Sequence, residues 1–172
     1  VKVDVDGLTA NSWYFYRFQF NGTSSLTGRT RTMPTAMVEN LRFAVASCSN
    51  YGGGLWYNAY TDIAQRDDID AFIHLGDYIY ENGTGPSGVG VEILPPNEII
   101  SLDDYRQRYA SYRLDSNLRE VHRKWPCYTV WDDHESANNS WADGAQAHDE
   151  STEGPWEVRL ANAQQAYFEW LP

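Results

Sequence analysis

Three apolar stretches constrain what this chain can fold into, because each of them ends in a short run of polar residues. They cover residues 41–47, 70–75 and 127–131. Between the first two, apolar side chains recur at helical spacing over residues 55–66. The order strand, helix, strand predicts two parallel strands joined by a right-handed crossover. The third stretch predicts a further strand, so the chain is expected to be of the α/β class.

The residues that follow the predicted strands are chemically unusual as a group. Cys48 follows the first strand, Asp77 follows the second with Tyr80 three residues later, and the run Asp132-Asp-His-Glu135 follows the third. Ligands of open α/β sheets bind beyond the carboxyl ends of the parallel strands. We therefore expect a thiol, a phenol, an imidazole and several carboxylates to converge on one site.

These residue types favour a metal centre. Carboxylates are hard oxygen ligands, a thiolate prefers a redox-active or softer transition metal, and a phenolate is a known ligand of ferric iron. The set therefore favours iron together with one or more hard divalent ions. Asn138 and Asn139 follow closely and could add an amide oxygen, whereas His134 is either a further ligand or a general acid.

Other polar residues have simpler interpretations. His74 lies inside the second strand and is expected to be structural, or to support a ligand through a hydrogen bond. Arg106, Arg108 and Arg113 belong to a helix predicted after Ser101, and we expect them to pair with nearby aspartates on the surface. The glycines at 52–54 could offer backbone N–H groups to a phosphate, although most glycine runs are plain loops.

The flanking segments are predicted from local signals. Residues 1–32 alternate as two or three short strands do, with Asn21-Gly22 as a tight turn. Residues 116–124 and 157–170 are predicted to be helical, since apolar residues recur at helical spacing in both.

Composition limits the function further. The chain has 172 residues, which predicts about one domain, or one domain and a fragment. Its 13 Lys and Arg against 24 Asp and Glu give a net charge of −11, which argues against a basic surface for nucleic acid. A protein of this charge that handled phosphate esters would need positive charge from bound metal ions. Two cysteines are too few for a disulfide framework, and no apolar run predicts a transmembrane segment.

Five segments of the sequence resemble the PhoD-like alkaline phosphatases, a family that includes iron-dependent phospholipases D. They are RFAVASCSNY (42–51), FIHLGDYIYE (72–81), DDYRQRYASYRLD (103–115), VWDDHE (130–135) with the following Asn138-Asn139, and AQQAYFEWLP (163–172). The resemblance implies a metallophosphoesterase-type α/β sandwich, present here only in part. It also implies that residues 1–35 are the last strands of a fibronectin type III-like β-sandwich domain and that residues 36–172 are the amino-terminal half of the catalytic domain.

The resemblance further implies hydrolysis of phosphomonoesters and phosphodiesters in an exported bacterial enzyme, secreted, periplasmic or on the cell surface. The cofactors it implies are Fe³⁺ and one or two Ca²⁺ ions, with other divalent metals possible. Cys48 and Tyr80 correspond to iron ligands, and Asp77 to a carboxylate shared between metals. Asp133 and one of Asn138 and Asn139 correspond to metal ligands, and His134 to the histidine that faces the scissile phosphate.

Family members run to several hundred residues and carry further metal ligands, so the chain is expected to be a truncated portion that holds about half of the first coordination shell. Two alternatives stay open at this point. One is a phospholipase D of the same family that acts on lipid head groups. The other is a non-catalytic module that binds carbohydrate or cell-wall polymer through its 12 tyrosines and 7 tryptophans and holds structural calcium.

Overall fold

The fold is organised around a small parallel sheet. The computed structural model describes residues 2–50, 58–83 and 93–172. In this part of the chain the strands β5 (Phe43–Ala46), β6 (Ala71–His74) and β7 (Cys127–Thr129) form a three-stranded sheet in the order β5-β6-β7. Both pairs are parallel, with Val45 opposite Ile73 and Ile73 opposite Tyr128. The predicted parallel strands are therefore present, each shorter than the apolar run that predicted it.

Helices cover one face of this sheet. They are α1 (Asn58–Gln65), α2 (Leu102–Tyr112), α3 (Ser116–Lys124) and α5 (Trp156–Trp170), whereas the short α4 (Glu150–Glu153) has no buried residue. Helix α1 packs against α3, and α2 packs against α5. Phe72 of β6 is buried in the resulting core, while Phe43 and Val45 of β5 remain about half exposed on the opposite face. The chain is thus of the mixed α/β class, with helices on one side of the described sheet.

The core between helices and sheet is rich in tyrosine. Tyr105, Tyr109 and Tyr112 lie on one face of α2 and are fully buried, as their spacing predicts. Ala163 and Ala166 of α5 are buried in the same core, and Trp170 of that helix stacks on Tyr109 with ring centroids 6.1 Å apart. The helix start is fixed by Ser101, whose hydroxyl accepts from the N–H of Asp104 in a capping box.

The amino-terminal residues form two small antiparallel sheets. Strand β1 (Trp13–Tyr16) pairs with β4 (Gly28–Arg31), and β2 (Gln19–Phe20) pairs with β3 (Thr23–Ser24). The connecting residues Asn21 and Gly22 both have positive φ, as a two-residue hairpin turn requires. The predicted hairpin is therefore confirmed.

A stacked arginine joins this segment to the helical layer. The Arg29 guanidinium lies 4.8 Å from the ring of Trp13 and 4.6 Å from that of Trp125, and its Nε donates to the carbonyl of Lys124 at 3.1 Å. Arg31 also forms an ion pair of 2.8 Å with Asp70. These contacts fix the amino-terminal strands against the end of α3. No helix in the described part of the chain has the length and apolar character that crossing a membrane would take.

Candidate metal centre

The site begins with an irregular backbone at the end of β6. Gly76 has a φ of 102°, and a Cβ placed on it would lie 2.4 Å from the Cβ of Asp132, so only glycine fits here. Asp77 then has a φ of 54°, in the left-handed region that Asp tolerates better than most residues. Cys48, after β5, has a φ of 56°. The N–H of Cys48 donates to the Gly76 carbonyl at 3.1 Å and that of Ser49 to the Asp77 carbonyl at 2.8 Å, so the two strand ends are directly joined.

Three of the predicted residues lie together at this edge. Asp77, Asp133 and His134 each offer a ligand atom, and these atoms lie within 4.8 Å of one another. The Oδ1 of Asp77 accepts from the backbone N–H of His134 at 3.4 Å. Burial raises the pKa of Asp77, whereas His134 and a hydrogen bond from Cys48 lower it. Concentrated carboxylates beside an imidazole are a suitable environment for a cation.

Tyr80 and Cys48 adjoin the same carboxylate. The phenol of Tyr80 donates to Asp77 Oδ2 at 3.3 Å, and the Cys48 side chain is a hydrogen-bond partner of both residues. The Cys48 thiol is exposed and in no disulfide. Burial, followed by the charge of Asp77, raises the pKa of Tyr80, so the phenol keeps its proton at neutral pH. The structure therefore brings Cys48 and Tyr80 to Asp77, the predicted shared carboxylate.

The two asparagines differ in what their side chains contact. The Asn139 side chain donates to Gln146 Oε1 at 2.5 Å, and its backbone N–H donates to Asp133 Oδ2 in a short hydrogen bond. Asn138 is anchored through its backbone, and in residues 2–50, 58–83 and 93–172 no hydrogen bond involves its side-chain amide. The Asn139 side-chain hydrogen bond uses its amide nitrogen, so among the described residues the amide oxygens of both asparagines have no hydrogen-bond donor and both stay candidate metal ligands.

Two glutamates that sequence reasoning left without a role support the site. Glu135 is fully buried and accepts from the backbone N–H groups of Asp77 at 3.1 Å, Tyr78 at 2.6 Å and Asp132 at 2.8 Å. Burial raises its pKa to about 7, against the effect of these hydrogen bonds. Glu81 is also fully buried, with His134 Nδ1 at 2.6 Å. An acid directly after Tyr80, in an otherwise apolar segment, was the available signal for Glu81.

His74 lies behind the site and contacts it through a hydrogen bond, as its position inside the strand suggests. It is fully buried, and its Nε2 lies 2.8 Å from the hydroxyl of Ser49, the residue after Cys48. Burial lowers the pKa of His74 to about 4, so the ring is neutral at physiological pH. The histidine thus packs beneath the strand end that carries the thiol.

The arginines of α2 differ from expectation. Arg106 does lie at the surface, where it pairs with Glu169 at 2.6 Å. Arg108 is fully buried instead, and its guanidinium donates to five backbone carbonyls. Arg113 is partly buried over the ring of Tyr78, 5.4 Å from its centre. The expectation of surface pairing was therefore wrong for Arg108, which shares the buried face of the helix with the tyrosines, and for Arg113, whose Nη2 donates to the Trp170 carbonyl at 3.3 Å. The glycines at 52–54 lie outside the described residues.

Comparisons with known proteins identify the family of the chain. A family model described as "PhoD-like phosphatase" matches residues 43–172, and one described as "PhoD-like phosphatase, N-terminal domain" matches residues 1–34. The chain is 42% identical to alkaline phosphatase D of Bacillus subtilis (strain 168) over 177 residues, which cover 100% of this chain and 30% of that protein. It also matches a solved structure titled "Structure of PhoD" with a TM-score of 0.87 and 40% identity, over 97% of this chain and 32% of the other.

These matches agree in extent, since the chain spans about a third of the length of each relative. The family model for the phosphatase itself covers most of the chain, from β5 through α5, and includes every candidate ligand of the site. The chain therefore belongs to the PhoD-like phosphatase family.

Proposed function

We propose that the protein containing this chain hydrolyses phosphomonoesters and phosphodiesters at a multinuclear metal site, part of which lies in residues 1–172. The observation that carries the proposal is the convergence of Asp77, Asp133 and His134 within 4.8 Å, with the Cys48 and Tyr80 side chains beside the same carboxylate. The residues come from three separate strand ends. Packing alone gives no reason to bring a thiol, a phenol, an imidazole and two carboxylates to one edge.

The donor set fits iron with calcium. Cys48, Asp77 and Tyr80 would hold Fe³⁺, because thiolate and phenolate ligands suit a redox-active ion. Asp133 and one of Asn138 and Asn139 would hold Ca²⁺, because calcium prefers carboxylate and amide oxygens. Such ions supply charge neutralisation for a transferring phosphoryl group. The family relationship supports these identities, and other divalent metals remain compatible with the oxygen donors.

The protein's own side chains have separate tasks. The Tyr80 phenol must lose its proton to become a ligand, and its raised pKa means that this requires the field of a bound cation. Asp77, held at a φ of 54°, accepts from the Tyr80 phenol through Oδ2 and from the His134 N–H through Oδ1, which supports its role as a carboxylate shared between two positions of the site. His134, which is partly exposed while its Nδ1 is hydrogen-bonded, faces the scissile phosphate and donates a proton to the leaving alkoxide.

The domain organisation belongs to the same proposal. Residues 1–35 form the carboxyl-terminal part of a fibronectin type III-like β-sandwich domain, and residues 36–172 form the amino-terminal half of a metallophosphoesterase-type α/β sandwich. The exposed Phe43 and Val45 support a second layer on the open face of the sheet. The longer protein is exported, to the periplasm, the cell surface or the medium, and the family relationship supports this location.

The test is elemental analysis and a visible spectrum of the purified full-length protein, together with phosphatase assays of two variants. We expect bound iron with a charge-transfer band, and a loss of about 100-fold or more in kcat for Asp77→Asn. Asp103→Asn, on the exposed start of α2, is the matched control and should retain wild-type activity and metal. A colourless protein that holds zinc alone would contradict the roles of Cys48 and Tyr80.

Substrate choice separates the proposal from its alternatives. Hydrolysis of phosphatidylcholine well above that of an aryl phosphate would identify a phospholipase D. If Cys48→Ala and Tyr80→Phe left function intact and no phosphate ester were hydrolysed, the protein would be a calcium-dependent binding module instead.

A further inference from the structure

Glu81 connects two parts of the candidate site through one buried carboxylate. Its side chain is fully buried, and its two oxygens have different partners. Oε2 lies 2.6 Å from Nδ1 of His134, and Oε1 accepts from the backbone N–H of Asn138 at 2.8 Å. We propose that Glu81 is a positioning residue that fixes the tautomer and the ring orientation of His134 and holds the backbone of Asn138 beside it.

The contacts of His134 show how the ring is fixed. The ring of Tyr80 packs against it with centroids 4.2 Å apart and planes inclined by 31°, so Tyr80 restrains one face while Glu81 restrains one edge. An ionised carboxylate only accepts hydrogen bonds, which places a hydrogen on Nδ1. In the neutral ring Nε2 then carries the lone pair, and in the protonated ring it carries the hydrogen that His134 donates to the leaving alkoxide; among the described residues no hydrogen bond occupies that atom. The ring therefore presents Nε2 to a substrate or a cation.

Glu81 is itself held rigidly. The buried guanidinium of Arg108 donates to the carbonyls of Tyr80 and Asn82, the residues on either side, and the Glu81 carbonyl accepts from the N–H of Ile99 at 3.0 Å. Within the described chain, no Lys or Arg side chain hydrogen-bonds to the Glu81 carboxylate. A buried acid usually needs a partner that compensates its charge. The nearby buried guanidinium of Arg108 interacts with this charge without a hydrogen bond, so both hydrogen bonds of the carboxylate go to residues of the site.

The test is Glu81→Gln in the full-length protein, and it rests on the proposed phosphoesterase function for its kinetic part. The two donors, His134 Nδ1–H and the Asn138 N–H, face different oxygens of Glu81, and glutamine replaces one of these oxygens by an NH2 group that donates, so one of the two hydrogen bonds is lost. We expect kcat to fall by about 10–100-fold, as is typical when the partner of a site histidine is lost. Glu120→Gln, which removes a surface carboxylate paired with Arg123, is the control and should keep wild-type kcat.

A double-mutant cycle distinguishes positioning of His134 from general loss of structure. If Glu81 acts through the ring, Glu81→Gln causes no further fall in kcat in a His134→Asn background. An equal fold-loss in both backgrounds would overturn the proposal.

Nitrogen NMR of the wild-type protein labelled with ¹⁵N-histidine gives a second result that needs neither activity nor a stable variant. The His134 signal, assigned by its absence in His134→Asn, should show a hydrogen on Nδ1. An Nδ1 without hydrogen would overturn the proposal. If the wild-type protein hydrolysed no phosphate ester, the proposed function would fail while this measurement still decided the role of Glu81.

Discussion

Replacing Arg108 by lysine should destabilise the protein more than any conservative change at the surface. The buried guanidinium donates through Nε to the Leu94 carbonyl at 3.2 Å and through Nη2 to those of Pro95 at 2.8 Å and Asn97 at 2.9 Å. Through Nη1 it donates to the carbonyls of Tyr80 and Asn82. It therefore joins the segment that carries Tyr80 to the residues that lead into α2.

The magnitude follows from the number of acceptors. A lysine ammonium has three donors on one nitrogen, so at least two of the five carbonyls lose their partner. A buried acceptor left unpaired costs about 1–3 kcal/mol. We therefore expect Arg108→Lys to lower the free energy of unfolding by about 2–6 kcal/mol. For a domain of 150–250 residues this corresponds to a fall in Tm of roughly 4–24 °C.

The assay is thermal and urea unfolding of the full-length variants, followed by tryptophan fluorescence. Arg106→Lys is the matched control on the same helix, because Arg106 pairs with Glu169 at the partly exposed surface, and such pairs contribute about 1 kcal/mol or less. If the two variants lost equal stability, the five carbonyls would have found other partners, and the reasoning from buried acceptors would be refuted.

Three further changes test other contacts. Gly76→Ala should lower the free energy of unfolding by about 2 kcal/mol or more, because the added Cβ would clash with Asp132. Gly7→Ala should lower it by only about 1 kcal/mol, since Gly7 has open space around it and only its positive φ disfavours alanine. Thermal unfolding of the two variants measures the difference. The pKa of His74 is about 4 in the folded protein and about 6.5 in the unfolded chain, so its contribution to the free energy of unfolding is complete above pH 6.5. This contribution is lost as pH falls, by about 3 kcal/mol at pH 4. In His74→Gln the urea midpoint should therefore depend less on pH in this range, and an unchanged slope would contradict the reasoning. Arg29→Ala should lower the free energy of unfolding by about 1–2 kcal/mol, because two cation–π contacts are lost. Arg29→Lys should lose an intermediate amount in the same unfolding assay. Equal losses in the two variants would contradict a stabilising role for guanidinium stacking.

Local signals predicted the regular elements well. Helix α3 occupies residues 116–124 as predicted, because Asp115 caps its first turn and Pro126 prevents its continuation. The strands were predicted too long, since apolar sequence continues past the last paired residue. Strand β7 ends at Thr129, although the apolar run extends to Trp131. Sequence shows where side chains are apolar, but pairing depends on how far the neighbouring strand extends.

The sequence predicted those site residues that directly follow the parallel strands. The carboxyl ends of parallel strands share an edge, so Asp77 and Asp133 could be placed together from topology alone. Glu81 and Glu135 were missed because their roles depend on burial against backbone N–H groups and a histidine contributed by distant segments. Arg108 could have been found, since it lies three residues after Tyr105 and one before Tyr109, on the face that the tyrosine spacing marks as buried.

The left-handed residues at the two strand ends have a kinetic consequence. Cys48 and Asp77 have φ values of 56° and 54°, and backbone hydrogen bonds between their own loops hold them there, so the positions of these two proposed ligands are set by contacts within the chain. A binding site that already has its bound conformation loses little conformational entropy when its ligand binds. The rate of metal binding at this edge should then be limited by how fast the ion loses its hydration water. We expect this rate to depend on which ion binds more than on motions of the chain.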